Sequence, residues 1–314
     1  MLKDAGFQVT AWNQDKPMTQ EELIEKAKTH DALFCSSYDK IDVYFLNACS
    51  HLEIISQFSV GYDNIDVAEA TRLGIPIGNA PNAMNDATAD IAFGLMIAVS
   101  RKMFYMHQQI IDGNWTHFRP TANLGMELKN KTLGIVGLGR IGTEMAKRCK
   151  GAYNMKVIYN NTKPNKEAEQ ELDATYVDLK TLLSQSDVVS VHCALNESTK
   201  ELFNKSAFNQ MKPSAIFINT ARGQVHNEPD LIAALKNKTI WGAGLDVTNP
   251  EPMQPDNPLL HMENVCVLPH IGSATVEARN EMARLAATNI IEFYKSGIVP
   301  NLVNPEVFKK GLKK

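Results

Sequence analysis

The chain has 314 residues, of which 44% are hydrophobic, and a formal net charge of −3. That length gives room for a sizeable core and suggests two domains, and the composition is not that of a disordered chain. Lys and Arg are scattered rather than clustered, which leaves no electrostatic footprint for nucleic acid or an anionic membrane, so the expected partner is a small molecule.

In chain order, the first region alternates FQVTAW (7–12), a helix over 20–29, DALFC (31–35), LEIISQF (52–58), a helix over 67–73 and IPIGNA (75–80). Short apolar runs alternating with amphipathic ones predict a small parallel α/β unit. A long helix over 87–101 follows. Its apolar run, 91–99, is far too short for a bilayer span, and the opening MLKDAGFQVT has no apolar signal core, so a cytoplasmic protein is expected.

From Thr132 the same rhythm returns as TLGIVGL, a helix over 141–150, MKVIYN, a helix over 179–185, VVSVHCA, AIFINTA, a helix over 230–236, WGAGLDV and VCVLP. This predicts an open, doubly wound parallel sheet, a nucleotide-binding architecture. Another long helix, over 274–294, leads to IVPNLVNPEVF, which is expected to return to the first unit. The expected division is 1–83 for the first part of a substrate domain, 84–275 for a dinucleotide-binding domain, and 276–314 for a crossover helix and the return. Cys35, Cys49, Cys149, Cys193 and Cys266 show no CxxC and no His cluster, so they are expected to be reduced and mostly buried, with no metal site.

Gly137, Gly139 and Gly142 form GxGxxG directly after a strand and at the start of a helix. The first permits the tight turn, the second lets backbone approach a pyrophosphate, and the third lets helix and strand pack closely. Such a turn is normally answered by an acid at the tip of the next strand, which accepts from the adenosine ribose hydroxyls and repels a 2′-phosphate. Here the tip reads Asn160, Asn161, Thr162, Lys163. Asn161 removes the repulsion, Thr162 can donate a hydrogen bond and Lys163 adds positive charge, so NADP(H) is the expected cofactor, with NAD(H) possible. Three later stretches, NTARGQV (219–225), GLDVTNPEP (244–252) and LPHIGSAT (268–275), each follow a predicted strand. Their loops should converge at the carboxyl edge with Arg222, Glu251 and His270.

With these motifs the chain resembles the D-isomer-specific 2-hydroxyacid dehydrogenase family. The resemblance runs from SQFSVGYDNIDVAEATRLGIPIGNAP through TADIAFGLMIAVSR, GLGRIG, INTARG, GLDVTNPEP and LPHIGSAT to NLVNP, and is nearest to the glyoxylate/hydroxypyruvate reductase branch. It implies a Rossmann-type cofactor domain inserted in a flavodoxin-like substrate domain, and reduction of a small 2-keto acid to the D-2-hydroxy acid. The roles implied are His270 as the acid that protonates the ketone oxygen, Glu251 as its counter-charge and Arg222 as the carboxylate clamp. The backbone N–H groups of Val60 and Gly61 would hold the substrate carboxylate, Asp246 the nicotinamide carboxamide, and Arg140 with Ile141 the pyrophosphate. Thr220, Ala221 and Gly272 would line the cofactor.

The resemblance also implies a homodimer through the segment around Trp115. Family members begin with a strand and a helix ahead of LKDAGFQV, so the reading frame is expected to extend upstream by about one strand and part of a helix. The competing readings are 2-ketogluconate reductase, phosphoglycerate dehydrogenase, D-lactate dehydrogenase, and a non-catalytic NAD(H)-sensing protein on the same scaffold. The last usually carries added tails, whereas this sequence closes on GLKK. His192 is expected to be a packed residue near the adenosine end. His226, where relatives more often carry an apolar residue, is a departure to which the sequence attaches no meaning.

Overall fold

The computed structural model describes residues 1–310; the closing GLKK, 311–314, lies outside the described residues. The chain forms two compact units, one built from Met1–Met84 with the segment from Thr275 onward, the other from Asn85–Ala274.

The first unit runs α1 (Gln20–Ala27), β1 (Ala32–Cys35), α2 (Val43–Ala48), β2 (Ile54–Gln57), α3 (Val67–Leu73) and β3 (Ile77–Gly78), and its three strands are parallel in the order β1-β2-β3. Local chemistry sets the helix ends. Thr19 and Glu22 form a capping box on α1, Asp42 and Asp66 cap α2 and α3, and Gly74 ends α3 at φ 78°. The central strand, β2, is buried along its length, the apolar Ile54 and Ile55 being followed by the buried polar Ser56 and Gln57. One face packs on Phe45, Leu46 and Ile24. The C-terminal helix, Val276–Ser296, comes close enough to the sheet for Ser56 to donate to the Ala286 carbonyl at 2.8 Å. A Cβ at Gly78 would sit 2.6 Å from Asn289 Nδ2, so only glycine permits that approach.

The expected strand FQVTAW is not formed: residues 7–12 lie outside the sheet. Alternation makes a strand only where a neighbouring strand and a buried face await it. Here Val9 stays 39% exposed, and Thr10 is tied to His30 Nε2 at 2.8 Å instead.

The second unit runs α4 (Asn85–Ser100), α5 (Met103–Ile111), β4 (Thr132–Val136), α6 (Arg140–Tyr153), β5 (Lys156–Asn160), α7 (Lys166–Leu172), β6 (Thr175–Tyr176), α8 (Leu179–Gln185), β7 (Val188–Val191), α9 (Lys205–Phe208), β8 (Ile216–Asn219), α10 (Glu228–Lys236), β9 (Gly242–Leu245) and β10 (Val265–Val267). Its seven strands are all parallel in the order β10-β9-β8-β7-β4-β5-β6. The sequence reading passed over α2, α5, α7 and α9. Residues of α4 and α6 fill the core on one face of the sheet, and residues of α8, α9 and α10 fill the other around Phe203, Phe208 and Phe217. Chain order reverses between β4 and β7, and that switch point is where doubly wound sheets open a ligand crevice at their carboxyl ends. Four of the five cysteines are buried, Cys193 is half-buried, and all are free thiols. Among the described residues no helix is long and apolar enough to cross a membrane.

Candidate active site

The glycine motif turns at the switch point. Gly137 has φ 95°, and a Cβ on it would lie 2.5 Å from the Cys193 nitrogen, while one on Gly142 would lie 2.6 Å from the Gly137 carbonyl. Gly139 faces open space, with no atom within 4 Å of a Cβ built there, and no side chain caps the first turn of α6. The N–H groups of that turn, next to Arg140 and Ile141, are therefore left to an anionic ligand such as a pyrophosphate. The residues fit a dinucleotide.

The neighbouring strand tip does more than lack an acid. Asn161 clasps the glycine turn, since its Oδ1 accepts from the Leu138 N–H at 2.7 Å and its Nδ2 donates to the Leu138 carbonyl at 3.3 Å. Asn165 donates to the same carbonyl at 2.9 Å. Thr162 and Lys163 are exposed beside it. On the other side of β4, His192 contacts Ser190 Oγ through Nε2 at 2.8 Å and Thr220 Oγ1 through Nδ1 at 3.4 Å. Burial pulls its pKa down to about 4, so it is a neutral packing residue at working pH.

The loops after β8, β9 and β10 carry the expected triad. Asn219, fully buried at the end of β8, accepts from the Ala221 N–H at 3.0 Å and donates to the Arg222 carbonyl at 2.9 Å. Gly223 lies so close to the next loop that a Cβ would fall 1.9 Å from the Thr248 carbonyl oxygen. Asp246, 1% exposed, accepts from the Ile271 N–H at 2.8 Å and the Gly272 N–H at 2.7 Å, so two successive amides nest one carboxylate. Thr88 of α4 donates to the Gly272 carbonyl at 3.1 Å. The resemblance assigns Asp246 to the nicotinamide carboxamide. Its contacts also make it a clamp between two loops.

That clamp holds the residue just before it, His270, at φ 53°. A side chain in this left-handed region costs roughly 1–2 kcal/mol, so the surroundings must enforce it. The imidazole Nδ1 then lies 2.6 Å from Glu251 Oε1, with both side chains 27% exposed. Burial pushes the Glu251 carboxyl up, but the His270 hydrogen bond and charge and the Arg222 charge outweigh it and hold it below the usual carboxylate range. Arg222, Glu251 and His270 are thus within electrostatic reach of one another. For Asp246 burial wins over the two amides and raises the pKa. Among the described residues no three His, Cys, Asp or Glu side chains converge as a metal site.

In the first unit, the loop after β2 carrying Val60 and Gly61 is held from beneath. Gln57, fully buried, donates from Nε2 to Asn64 Oδ1 at 2.8 Å, to Ser59 Oγ at 3.0 Å and to the Gly61 carbonyl at 3.3 Å. Asn64 donates onward to the Asp39 carbonyl at 2.8 Å and the Ser36 carbonyl at 3.1 Å, wiring the loops after β1 and β2 together. Asn79 holds the Val60 carbonyl at 2.9 Å. A trans peptide points its C=O and N–H in opposite directions, so this bond turns the Gly61 N–H away from Asn79. The sequence reading missed Gln57, Asn64, Asn79 and Thr88; the one available signal was a glutamine inside the apolar run LEIISQF.

The chain is similar to known proteins along most of its length. The family model for the D-isomer specific 2-hydroxyacid dehydrogenase NAD binding domain matches residues 93–272. A glyoxylate reductase of Thermococcus litoralis is 45% identical over 305 residues, covering 96% of this chain and 92% of the relative. A solved Thermus thermophilus structure superposes with TM-score 0.89 at 35% identity, covering 96% of this chain and 94% of that one. An NADPH-dependent glyoxylate/hydroxypyruvate reductase from Sinorhizobium meliloti, solved with NADP and malonate, superposes with TM-score 0.80 at 32% identity over 90% and 86% of the two chains. The chain belongs to the D-isomer-specific 2-hydroxyacid dehydrogenase family, as an oxidoreductase with a nicotinamide-dinucleotide domain in the branch whose named members are glyoxylate reductases.

Proposed function

We propose that the protein reduces glyoxylate to its achiral 2-hydroxy acid and hydroxypyruvate to the D-2-hydroxy acid, preferring NADPH. The observation that carries this reading is the 2.6 Å pair of Glu251 and His270, held by a clamped loop within electrostatic reach of Arg222. A bound dihydronicotinamide would supply the hydride to the ketone carbon. His270, with Nδ1 turned to Glu251, has Nε2 to give a proton to the ketone oxygen, and it recovers a proton from solvent after the product leaves. Glu251, kept ionised by its low pKa, balances the imidazolium. Arg222 grips the carboxylate and polarises the carbonyl with a fixed positive charge.

NADPH preference rests on the tip of β5, where Asn160 and Asn161 stand in place of an acid and Lys163 lies exposed. The Sinorhizobium relative's NADP complex supports it. A charge-assisted hydrogen bond contributes about 1.5–3 kcal/mol, so one or two partly solvated contacts correspond to a preference of roughly 10 to 100-fold. The homodimer is part of the same proposal. Ile110, Ile111, Trp115 and Phe118 are 56%, 64%, 72% and 84% exposed, an apolar strip suited to a second copy of the chain.

His270→Ala should lower kcat by about 10² to 10⁴-fold with little change in NADPH affinity. Near-normal turnover at saturating substrate would remove His270 from the chemistry. Glu251→Gln takes away the imidazolium's counter-charge, so the loss of reduction rate with rising pH should begin at lower pH; an unmoved profile would break the pair. In wild type kcat/KM should favour NADPH over NADH, and Lys163→Glu should reverse or abolish the preference while NADH turnover persists. A wild type favouring NADH would refute the cofactor assignment. Sedimentation velocity should show a dimer for wild type and a shift towards monomer for Trp115→Glu with Ile111→Glu, whereas a monomeric wild type would end that part of the proposal.

A further inference from the structure

His226 is a buried histidine that the chemistry above does not use. It directly follows the 3-10 turn Gly223–Val225, is 0% exposed, and packs its ring edge-on against Phe217 with centroids 5.9 Å apart. An apolar residue would meet the packing needs of such a place. The histidine adds one contact, Nδ1 to Asn219 Nδ2 at 3.0 Å, and leaves Nε2 with no partner.

The polarity of that contact can be worked out. Asn219 Oδ1 accepts from the Ala221 N–H, which fixes the other end of the amide as the donor. One of its two N–H bonds goes to the Arg222 carbonyl and the other to His226. Nδ1 is therefore the acceptor, and the ring proton sits on Nε2, where nothing receives it. Burial keeps the ring neutral by drawing its pKa down to about 4. An unpaired buried donor costs more than one neutral hydrogen bond returns, so stability alone does not account for a histidine here. The geometry imposed on Asn219 does.

We propose that His226 is a positioning residue for Arg222: by accepting the second N–H of Asn219 it locks the amide that holds the Ala221 N–H and the Arg222 carbonyl, and so fixes the backbone from which the guanidinium reaches the substrate carboxylate. This rests on the reading of Arg222 as the carboxylate clamp. With the acceptor gone the Asn219 amide is held only by its bonds to Ala221 and Arg222, and both loop contacts loosen together.

Three substitutions separate the acceptor from the packing. His226→Asn places an oxygen where Nδ1 sits and an NH2 where Cδ2 sits, His226→Leu supplies bulk without an acceptor, and His226→Gln carries its amide out to the Nε2 position. At saturating NADPH, His226→Leu and His226→Gln should lose about tenfold in kcat/KM for the keto acid, mainly through KM, the scale of one loosened charge-assisted contact. His226→Asn should stay within about twofold of wild type, and NADPH affinity should be unchanged in all three. Amide hydrogen exchange without substrate should show faster exchange at Ala221 in the Leu variant and wild-type exchange in the Asn variant. Wild-type kcat/KM in His226→Leu, or an equal loss in His226→Asn, would overturn the proposal. If wild type turned over no 2-keto acid, the reading of the site would fall, and the exchange comparison would still decide whether His226 braces the loop.

Discussion

The carboxylate of Asp246 is the contact on which the site depends. It is buried, and what keeps it there is a pair of backbone N–H donors from the loop after β10. Two such bonds offset much of the desolvation of a carboxylate, and in return the loop is fixed in two places one residue apart. Everything that gives His270 its direction follows from this: the left-handed backbone, the imidazole turned towards Glu251, and a carbonyl at Gly272 left free to receive Thr88.

A division of labour between charged and neutral groups runs through the molecule. The ionisable groups assigned to chemistry, Glu251 and His270, keep about a quarter of their surface exposed. Behind them Asp246 is a buried carboxylate, and four amides, Asn219, Gln57, Asn289 and Asn304, are each at most 1% exposed. An amide can donate and accept at once and carries no Born penalty, so it can organise several backbone groups in a dry place where a charge would need a partner. Gln57 with Asn64 ties two loops together, Asn289 links Ser56, Asn79 and Asn301, and Asn304 fastens Ile77 and Ile75 to the returning tail.

The sequence made some of this legible and hid the rest for a physical reason. Gly137, Gly139 and Gly142 announce themselves because a turn, an approach and a packing contact each forbid a side chain. Arg222, Glu251 and His270 could be gathered because all three follow strands of one parallel sheet, whose carboxyl ends share an edge. FQVTAW misled because alternation records a capacity for pairing, not the presence of a neighbour. Gln57, Asn219 and His226 stayed silent because their meaning lies in contacts closed only in three dimensions. One of those partners, Phe217 against His226, is packed from β8, the strand that leads into the same loop, and no spacing rule relates the two. The position of Asp246 was readable, while the two amides it binds, Ile271 and Gly272, emerge only from the folded loop.

The clasp of Asn161 on Leu138 bears on how such a protein could change cofactor over evolutionary time. A carboxylate at this position would keep the bond from the Leu138 N–H but set its second oxygen against the Leu138 carbonyl, where an N–H now donates. An acid at residue 161 would therefore disturb the glycine turn itself, whereas Thr162 and Lys163 are exposed beside it, and substitution there leaves the clasp on Leu138 in place.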